Sequence, residues 1–304
     1  MMRHVRTVIA LSLILTLCCS GCLSVTGDWP DNSLPGSPTD NEDTTAPPVA
    51  TTGEPGAHAD IPADRLGYYR LAVAMEEAYG AGDPVVAYDY DAGFDDETAL
   101  SYISMIIPRY IVLSIEMQTL NDVVTSVAYT STFPLPIDSR FAEAEAILKS
   151  VVDNNITPGM TEREKLQVIH DWVVEQNVYP DDYDDDARSA AALVLNGNAI
   201  CSGYADAVKI MCDYAGIPCV NVHGAAVNSE GLRGSHGWNA VYVGGEWLHL
   251  DATFDDPQTS DGANVLRHNY FLVTTDEIMQ NHFCDVTLSW EVQLNFAEWY
   301  YSSR

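Results

Sequence analysis

Residues 236–253 read HGWNAVYVGGEWLHLDAT, and this stretch predicts a β-hairpin. Two runs rich in aromatic and aliphatic residues flank Gly244-Gly245, and a Gly-Gly pair is a common two-residue hairpin turn. If these glycines form the turn, Val243 pairs with Glu246, and the return strand continues to Thr253. Because the turn fixes the register, each residue of the first strand has a defined partner on the second.

In this register the hairpin brings an imidazole close to a carboxylate. Asp251 lies opposite Trp238, and His236 becomes the diagonal neighbour of Asp251 on the same face, roughly 7–8 Å away between Cα atoms. Side chains can bridge such a distance. His249 shares this face but lies nearer the turn, so we interpret it as structural or as a lesser contributor to a site. The aspartates at positions 255–256 lie past the strand, so changing them to asparagine should cost far less activity than the same change at Asp251.

A cysteine upstream of the hairpin lies where its thiol should be reactive. Residues 197–203 contain turn-forming residues, and a helix with apolar residues at helical spacing follows and ends near Gly216. Cys201 therefore lies at a helix N-terminus. The N–H groups and the helix dipole favour a thiolate there and should lower the pKa of Cys201 below the free value of about 8.5. A thiol nucleophile, a histidine base and an aspartate are the parts of a catalytic triad, which here would be Cys201, His236 and Asp251.

Three segments in this order resemble the motifs of the transglutaminase-like superfamily: Cys201-Ser202-Gly203-Tyr204-Ala205, His236-Gly237-Trp238-Asn239 and the stretch from Leu250 to Pro257. The resemblance covers about residues 145–285. It implies an α+β, papain-like fold, in which an N-terminal helix carrying Cys201 packs on an antiparallel sheet carrying His236 and Asp251.

The resemblance also implies a chemistry. Cys201 would attack a carboxamide or peptide carbonyl, His236 would transfer the proton, and Asp251 would orient the imidazole. The resulting thioester would react with water in a peptidase or amidase, or with an amine in a cross-linking transglutaminase, and we favour hydrolysis. The partner would be a protein or peptide substrate, and no cofactor is implied. Tyr204 and Trp238 lie within the motifs and are further site candidates.

Two other interpretations stay open. The chain could be a tethered binding or scaffold module on an inactive papain-like fold, although all three triad residues are present. Cys201, His236 and Asp251 could instead hold Zn²⁺, but no close-spaced pair of ligands supports this. We therefore predict no metal site.

The composition excludes one class of partner. The 304 residues carry 44 Asp and Glu against 14 Lys and Arg, which gives a formal net charge of −30. Nucleic-acid binding needs clustered basic side chains, so it is not expected. At 47% hydrophobic residues, most of the chain can bury a core despite its acidity.

The N-terminal residues resemble an export signal of the lipoprotein type. A short basic segment precedes the apolar run from Val8 to Leu17, which is too short to span a membrane. The run ends in small residues before Cys22, as in a prokaryotic lipobox. We therefore expect lipid attachment at Cys22 and anchoring to the outer face of the cell membrane, with secretion without lipid as the alternative.

These features divide the chain into four predicted parts. They are a signal peptide (1–21), a disordered tether rich in Pro, Thr and Asp (22–60), an N-terminal α/β extension (61–145) and a transglutaminase-like catalytic domain (146–304). The tether is expected because this composition cannot recover its ordering entropy by burial.

Two cysteines of the predicted catalytic domain have a structural interpretation. Cys212 lies at core spacing in the helix that begins at Cys201, and Cys219 begins a predicted strand. Both are expected to be buried thiols.

Overall fold

The computed structural model describes residues 63–81, 85–86, 96–107, 114–120, 123–130, 137–229, 231–257, 265–284 and 288–302. The predicted signal peptide and tether lie outside these residues. The helices are α1 (Ala63–Ala81), α2 (Asp96–Ile106), α3 (Ile137–Asn155), α4 (Glu162–Glu175), α5 (Ala190–Asn196), α6 (Cys201–Ala215), α7 (Thr275–Ile278) and α8 (Trp290–Ser302), with a 3₁₀ turn at Asp185–Arg188. Within the described ranges, no helix combines the length and apolar character that crossing a membrane requires.

The strands form two antiparallel sheets. They are β1 (Val85–Val86), β2 (Ser114–Leu120), β3 (Val123–Thr130), β4 (Cys219–Val227), β5 (Arg233–Val243), β6 (Glu246–Leu250), β7 (Phe271–Val273) and β8 (His282–Cys284). The first three strands make one sheet in the order β1-β3-β2, and the other five make a second sheet in the order β7-β6-β5-β4-β8. The predicted α+β class, with the cysteine helix against an antiparallel sheet, is confirmed.

The predicted hairpin is formed by β5 and β6, with the predicted register. Val243 pairs with Glu246, and the ladder continues to the pair Asn239 and Leu250. Gly244 and Gly245 have φ of 63° and 96°. Both angles lie in the left-handed region that a type I′ turn requires and that glycine adopts without strain.

The return strand is shorter than predicted. It ends at Leu250 instead of Thr253, because the Asp251 side chain stabilises a turn in place of further pairing. Asp251 Oδ1 accepts the backbone N–H groups of Thr253 (3.0 Å) and Phe254 (3.1 Å). Such local bonds from aspartate compete with strand ladders. Asp251 therefore leaves the sheet just past its last pair, with its other carboxylate oxygen available to the face that carries His236.

A buried chain of polar side chains fixes α6 against the sheet. Asn221 of β4 donates from Nδ2 to Asp206 Oδ1 (2.8 Å). Asn239 of β5 donates from Nδ2 to Asn221 Oδ1 and to the carbonyl oxygen of Ala205, both at 3.0 Å. Because all three polar side chains are buried, breaking one bond would leave an unsatisfied group at a cost of about 1–3 kcal/mol. These hydrogen bonds hold the helix that begins at Cys201 in a fixed position relative to β5.

The two cysteines assigned a structural role are buried thiols, as predicted. Cys212 lies on α6 and Cys219 begins β4. Burial raises the pKa of the Cys212 thiol, and a hydrogen bond with Cys219 acts in the same direction. Both features disfavour a reactive thiolate at Cys212.

Gly203 allows the first turn of α6 to approach the preceding segment closely. A Cβ atom at this position would lie 2.7 Å from the carbonyl oxygen of Ser189 and 2.7 Å from the Cβ of Ala199. We expect Gly203→Ala to lower the free energy of unfolding by about 1–3 kcal/mol, since backbone must move to accept the methyl group. Urea denaturation of the wild-type and variant proteins would measure this change in the free energy of unfolding.

Gly80, near the end of α1, provides the matched control. A Cβ atom there would meet no described atom within 4 Å. Gly80→Ala should therefore change stability little or raise it by up to about 1 kcal/mol. Equal effects of the two substitutions would contradict the close approach at Gly203.

Candidate active site

The structure brings the three predicted triad residues together. His236 lies on β5, Asp251 directly follows β6, and Cys201 is the first residue of α6. His236 Nε2 and Asp251 Oδ2 are 2.6 Å apart. The other ring nitrogen, Nδ1, is buried and has no nitrogen or oxygen partner among the described residues. The Cys201 side chain, like the Asp251 carboxylate, raises the pKa of His236, so both groups interact with this imidazole.

The charges of this cluster support an ion pair inside the protein. Burial alone would lower the pKa of His236, but the Asp251 carboxylate and the Cys201 side chain outweigh it and raise the pKa to about 10. Burial alone would raise the pKa of Asp251, but His236 and His282 lower it well below its usual range. The stable forms at neutral pH are therefore an imidazolium and a carboxylate. An imidazolium beside a cysteine favours the thiolate, which is the nucleophilic form.

Trp238 forms one wall around the imidazole. Its ring stacks on His236 with centroids 5.7 Å apart and an interplanar angle of 16°. Its Nε1 donates to His249 Nδ1 at 3.1 Å. Burial lowers the pKa of His249 to about 4, with His282 contributing, so His249 is neutral and can accept this bond. His249 therefore orients Trp238, which agrees with the structural role proposed for it from the sequence.

Tyr204 supports the segment before Cys201. Its hydroxyl donates to Asp256 and accepts a hydrogen bond from Asn177 Nδ2 at 2.5 Å. Asn177 also bonds both backbone groups of Ala199, donating to its oxygen at 3.0 Å and accepting from its N–H at 2.7 Å. Burial raises the pKa of Asp256 to about 7. Tyr204 therefore has a positioning role, because its hydroxyl is already engaged on both sides.

With this geometry established, residues 149–252 match the family model of the transglutaminase-like superfamily. In this part of the chain the protein is similar to transglutaminase-like proteins. Its curated relatives include the kyphoscoliosis peptidase of Mus musculus, 26% identical over 176 residues, covering 50% of this chain and 27% of that protein. Hillarin of Drosophila melanogaster is 30% identical over 130 residues, covering 36% of this chain and 16% of that protein. The chain thus spans about a quarter or less of the length of these relatives.

Solved structures resemble the chain at lower identity. A structure described as a TGase is 15% identical with a TM-score of 0.34, covering 56% of this chain and 50% of that chain. The periplasmic domain of TgpA from Pseudomonas aeruginosa is 14% identical with a TM-score of 0.27, covering 46% of this chain and 60% of that chain.

A second histidine contacts the site, and the sequence did not predict it. His282 Nε2 lies 2.9 Å from Asp251 Oδ2, the same oxygen that contacts His236. His282 reaches this position because β8 pairs with β4, opposite Ala226. Burial lowers the pKa of His282, which keeps it neutral. A three-residue strand gives too weak a sequence signal to predict this contact.

Asp255 is more important to the fold than its position past the strand predicts. It is fully buried, and its Oδ1 accepts the backbone N–H groups of Asn269 (2.7 Å) and Tyr270 (3.1 Å). Its Oδ2 lies 3.1 Å from His170 Nε2. The prediction that asparagine costs far less activity at positions 255–256 than at Asp251 stays a prediction. Both substitutions should nevertheless lower stability, since Asp256 is also buried and bonded. Neither carboxylate contacts His236 through a hydrogen bond among the described residues.

Proposed function

We propose that this chain is a cysteine acyl-transfer enzyme, a peptidase or amidase that acts on peptide or glutamine carboxamide bonds. One observation carries the proposal: His236 bonds Asp251 through Nε2 and has Nδ1 left for the Cys201 thiol. This is the arrangement that a nucleophile, a base and an orienting carboxylate require. Cys201 is the nucleophile, His236 the acid and base, and Asp251 the group that orients the imidazole.

The reaction follows from these roles. The Cys201 thiolate attacks the carbonyl carbon, and the carbonyl oxygen takes the negative charge. His236 then gives its Nδ1 proton to the leaving amine or ammonia, and a thioester remains on Cys201. His236 next removes a proton from water, which attacks the thioester and releases the acid and the thiol. The Cys201 backbone N–H, at the first position of α6, would be one donor to the oxyanion.

The names of two relatives support hydrolysis over transfer to an amine. The kyphoscoliosis peptidases of Mus musculus and Homo sapiens, each aligned over 50% of this chain, bear the name peptidase. A cross-linking transglutaminase uses the same thioester with an amine in place of water. An inactive scaffold would retain the fold without turnover.

An assay with three readouts separates these three functions. The full chain is incubated with glutamine-containing peptides, with and without a primary amine, and ammonia release, peptide cleavage and amine incorporation are followed. Hydrolysis that persists with the amine present supports the proposal, and Cys201→Ala should remove it. Amine incorporation that exceeds hydrolysis would identify a transglutaminase. If neither product forms and Cys201 does not react with electrophiles, the protein is a scaffold.

We propose that the enzyme is held at the outer face of the cell membrane by lipid on Cys22. The support is the basic segment, the apolar run and the small residues that precede this cysteine. A single acyl chain binds membranes only marginally, so stable anchoring would require more than one chain.

Cys22→Ala should move the protein from the membrane fraction to the soluble fraction in its native host. Detergent partitioning of the two forms would measure the change. Cys18→Ala, four residues earlier, is the matched control and should stay in the detergent phase. Unchanged partitioning of Cys22→Ala would contradict the anchor.

A further inference from the structure

A cluster outside the triad joins two histidines through one aspartate. His170 Nδ1 lies 2.9 Å from Asp171 Oδ1, and His268 Nε2 lies 2.7 Å from the same oxygen. His170 and Asp171 belong to α4, whereas His268 precedes β7. One ligand atom from each residue lies within 4.8 Å of those of the other two. The proposed reaction uses none of these side chains.

We propose that His170, Asp171 and His268 form a metal site that takes Zn²⁺. Two imidazole nitrogens and one carboxylate oxygen are ligands that Zn²⁺ prefers, with water in the fourth position. Tetrahedral zinc bonds of about 2.0–2.1 Å place ligand atoms about 3.3 Å apart. The separations of 2.7 and 2.9 Å between Asp171 Oδ1 and the two ring nitrogens are about half an ångström shorter than this, and the two nitrogens lie within 4.8 Å of each other.

The surroundings of His170 are those of a metal-bound histidine. Its ligand nitrogen would be Nδ1, which leaves Nε2 to donate to the buried Asp255 at 3.1 Å. A carboxylate on the far nitrogen fixes the tautomer and orientation of a ligand histidine and increases its basicity. Asp255 is itself held by backbone N–H groups, so it cannot readily turn away.

The site has a route for the ion to enter. The His170 side chain is fully buried, but those of Asp171 and His268 are 26% and 39% exposed. A second triple of possible ligands, His236, Asp251 and His282, is buried at all three residues and belongs to the triad. The proposed zinc site is therefore the accessible one of the two.

Zinc at this position would stabilise the segment that supports the triad aspartate. The ion would tie α4 to His268, two residues before Tyr270. The carbonyl oxygen of Tyr270 accepts the backbone N–H of Asp251 at 3.0 Å. The role inferred for the ion is structural, and the site is separate from the acyl-transfer chemistry.

Thermal unfolding of the full chain with and without Zn²⁺ tests the proposal. After chelator treatment, Zn²⁺ at 100-fold above its dissociation constant should raise Tm by about 5 °C. His268→Gln should remove this shift and weaken binding at least about 100-fold by calorimetry. Because His268 is exposed, its substitution should disturb the fold less than substitution of the buried His170. Asp171→Asn is the second variant.

Two controls locate the ion. His223→Gln, a half-buried histidine on β4 that belongs to neither cluster, should keep the wild-type shift. Cys201→Ala should also keep it, because the thiol is not a ligand. No Tm shift in the wild type, or an equal shift in His268→Gln, would overturn the proposal. Loss of the shift in Cys201→Ala alone would place the ion at the triad and also overturn it. None of these outcomes depends on whether the protein hydrolyses peptides.

Discussion

Replacing Cys201 with alanine should lower turnover of any peptide or glutamine substrate by at least about 10⁴-fold while the protein stays folded. The substitution removes the atom that forms the thioester, and no other described cysteine contacts His236 through a hydrogen bond. The methyl group of alanine fits the space of the thiol, so α6 should keep its position. Steady-state kinetics on the assay above, with Tm measured for both proteins, would give the ratio.

Cys212→Ala is the matched control for this experiment. Cys212 is a buried cysteine of the same helix, but it lies beside Cys219 instead of His236. Its substitution should reduce stability and leave the turnover of the folded protein unchanged. If Cys201→Ala retains more than about a tenth of wild-type activity, the thioester mechanism is wrong.

Asp251→Asn should lower turnover by about 10²–10³-fold. The amide keeps the shape of the side chain but removes the charge that stabilises the His236 imidazolium, and it can favour the wrong tautomer. In serine triads the equivalent change costs about 10⁴-fold. A smaller loss is expected here because a thiolate–imidazolium pair is partly formed before the reaction begins. Removal of this charge should also lower the pKa of His236, which shifts the pH–rate profile.

Asp255→Asn is the control that separates the role of Asp251 in the triad from the effect of replacing any buried carboxylate. Both carboxylates are buried, but Asp255 bonds His170 and the backbone of residues 269–270. Its substitution should lower stability, and the activity of the fraction that remains folded should stay within about tenfold of wild type. An active, folded Asp251→Asn protein together with a folded but inactive Asp255→Asn protein would show that the triad is assigned to the wrong aspartate.

The features that the sequence predicted are those that rest on local signals. Two glycines fixed the hairpin register because the turn they form has few alternatives, and the helix at Cys201 follows from turn residues before an apolar pattern. The position of His236 beside Asp251 follows from the hairpin register alone. The return strand is three residues shorter than predicted, but this does not affect the contact between His236 and Asp251. The pairing of β5 and β6 extends to Leu250, the residue directly before Asp251.

The features that the sequence missed depend on contacts between distant segments. His282 lies 31 residues after Asp251 and reaches it through a strand of three residues. His268 lies 97 residues after Asp171, so no local pattern in the sequence indicates that the two side chains are in contact. Asp255 looked peripheral because its partners, in α4 and before β7, come together only in the folded chain.

The most direct test of the account is to trap the nucleophile. The full chain is treated with an electrophilic analogue of a glutamine peptide, and the labelled cysteines are mapped by mass spectrometry. Cys284 is half-buried, whereas Cys201, Cys212 and Cys219 are buried, so labelling governed by access alone would favour Cys284. The triad predicts that Cys201 is labelled faster than any of the other three described cysteines. Equal or faster labelling of Cys284, or no adduct on Cys201, would contradict it.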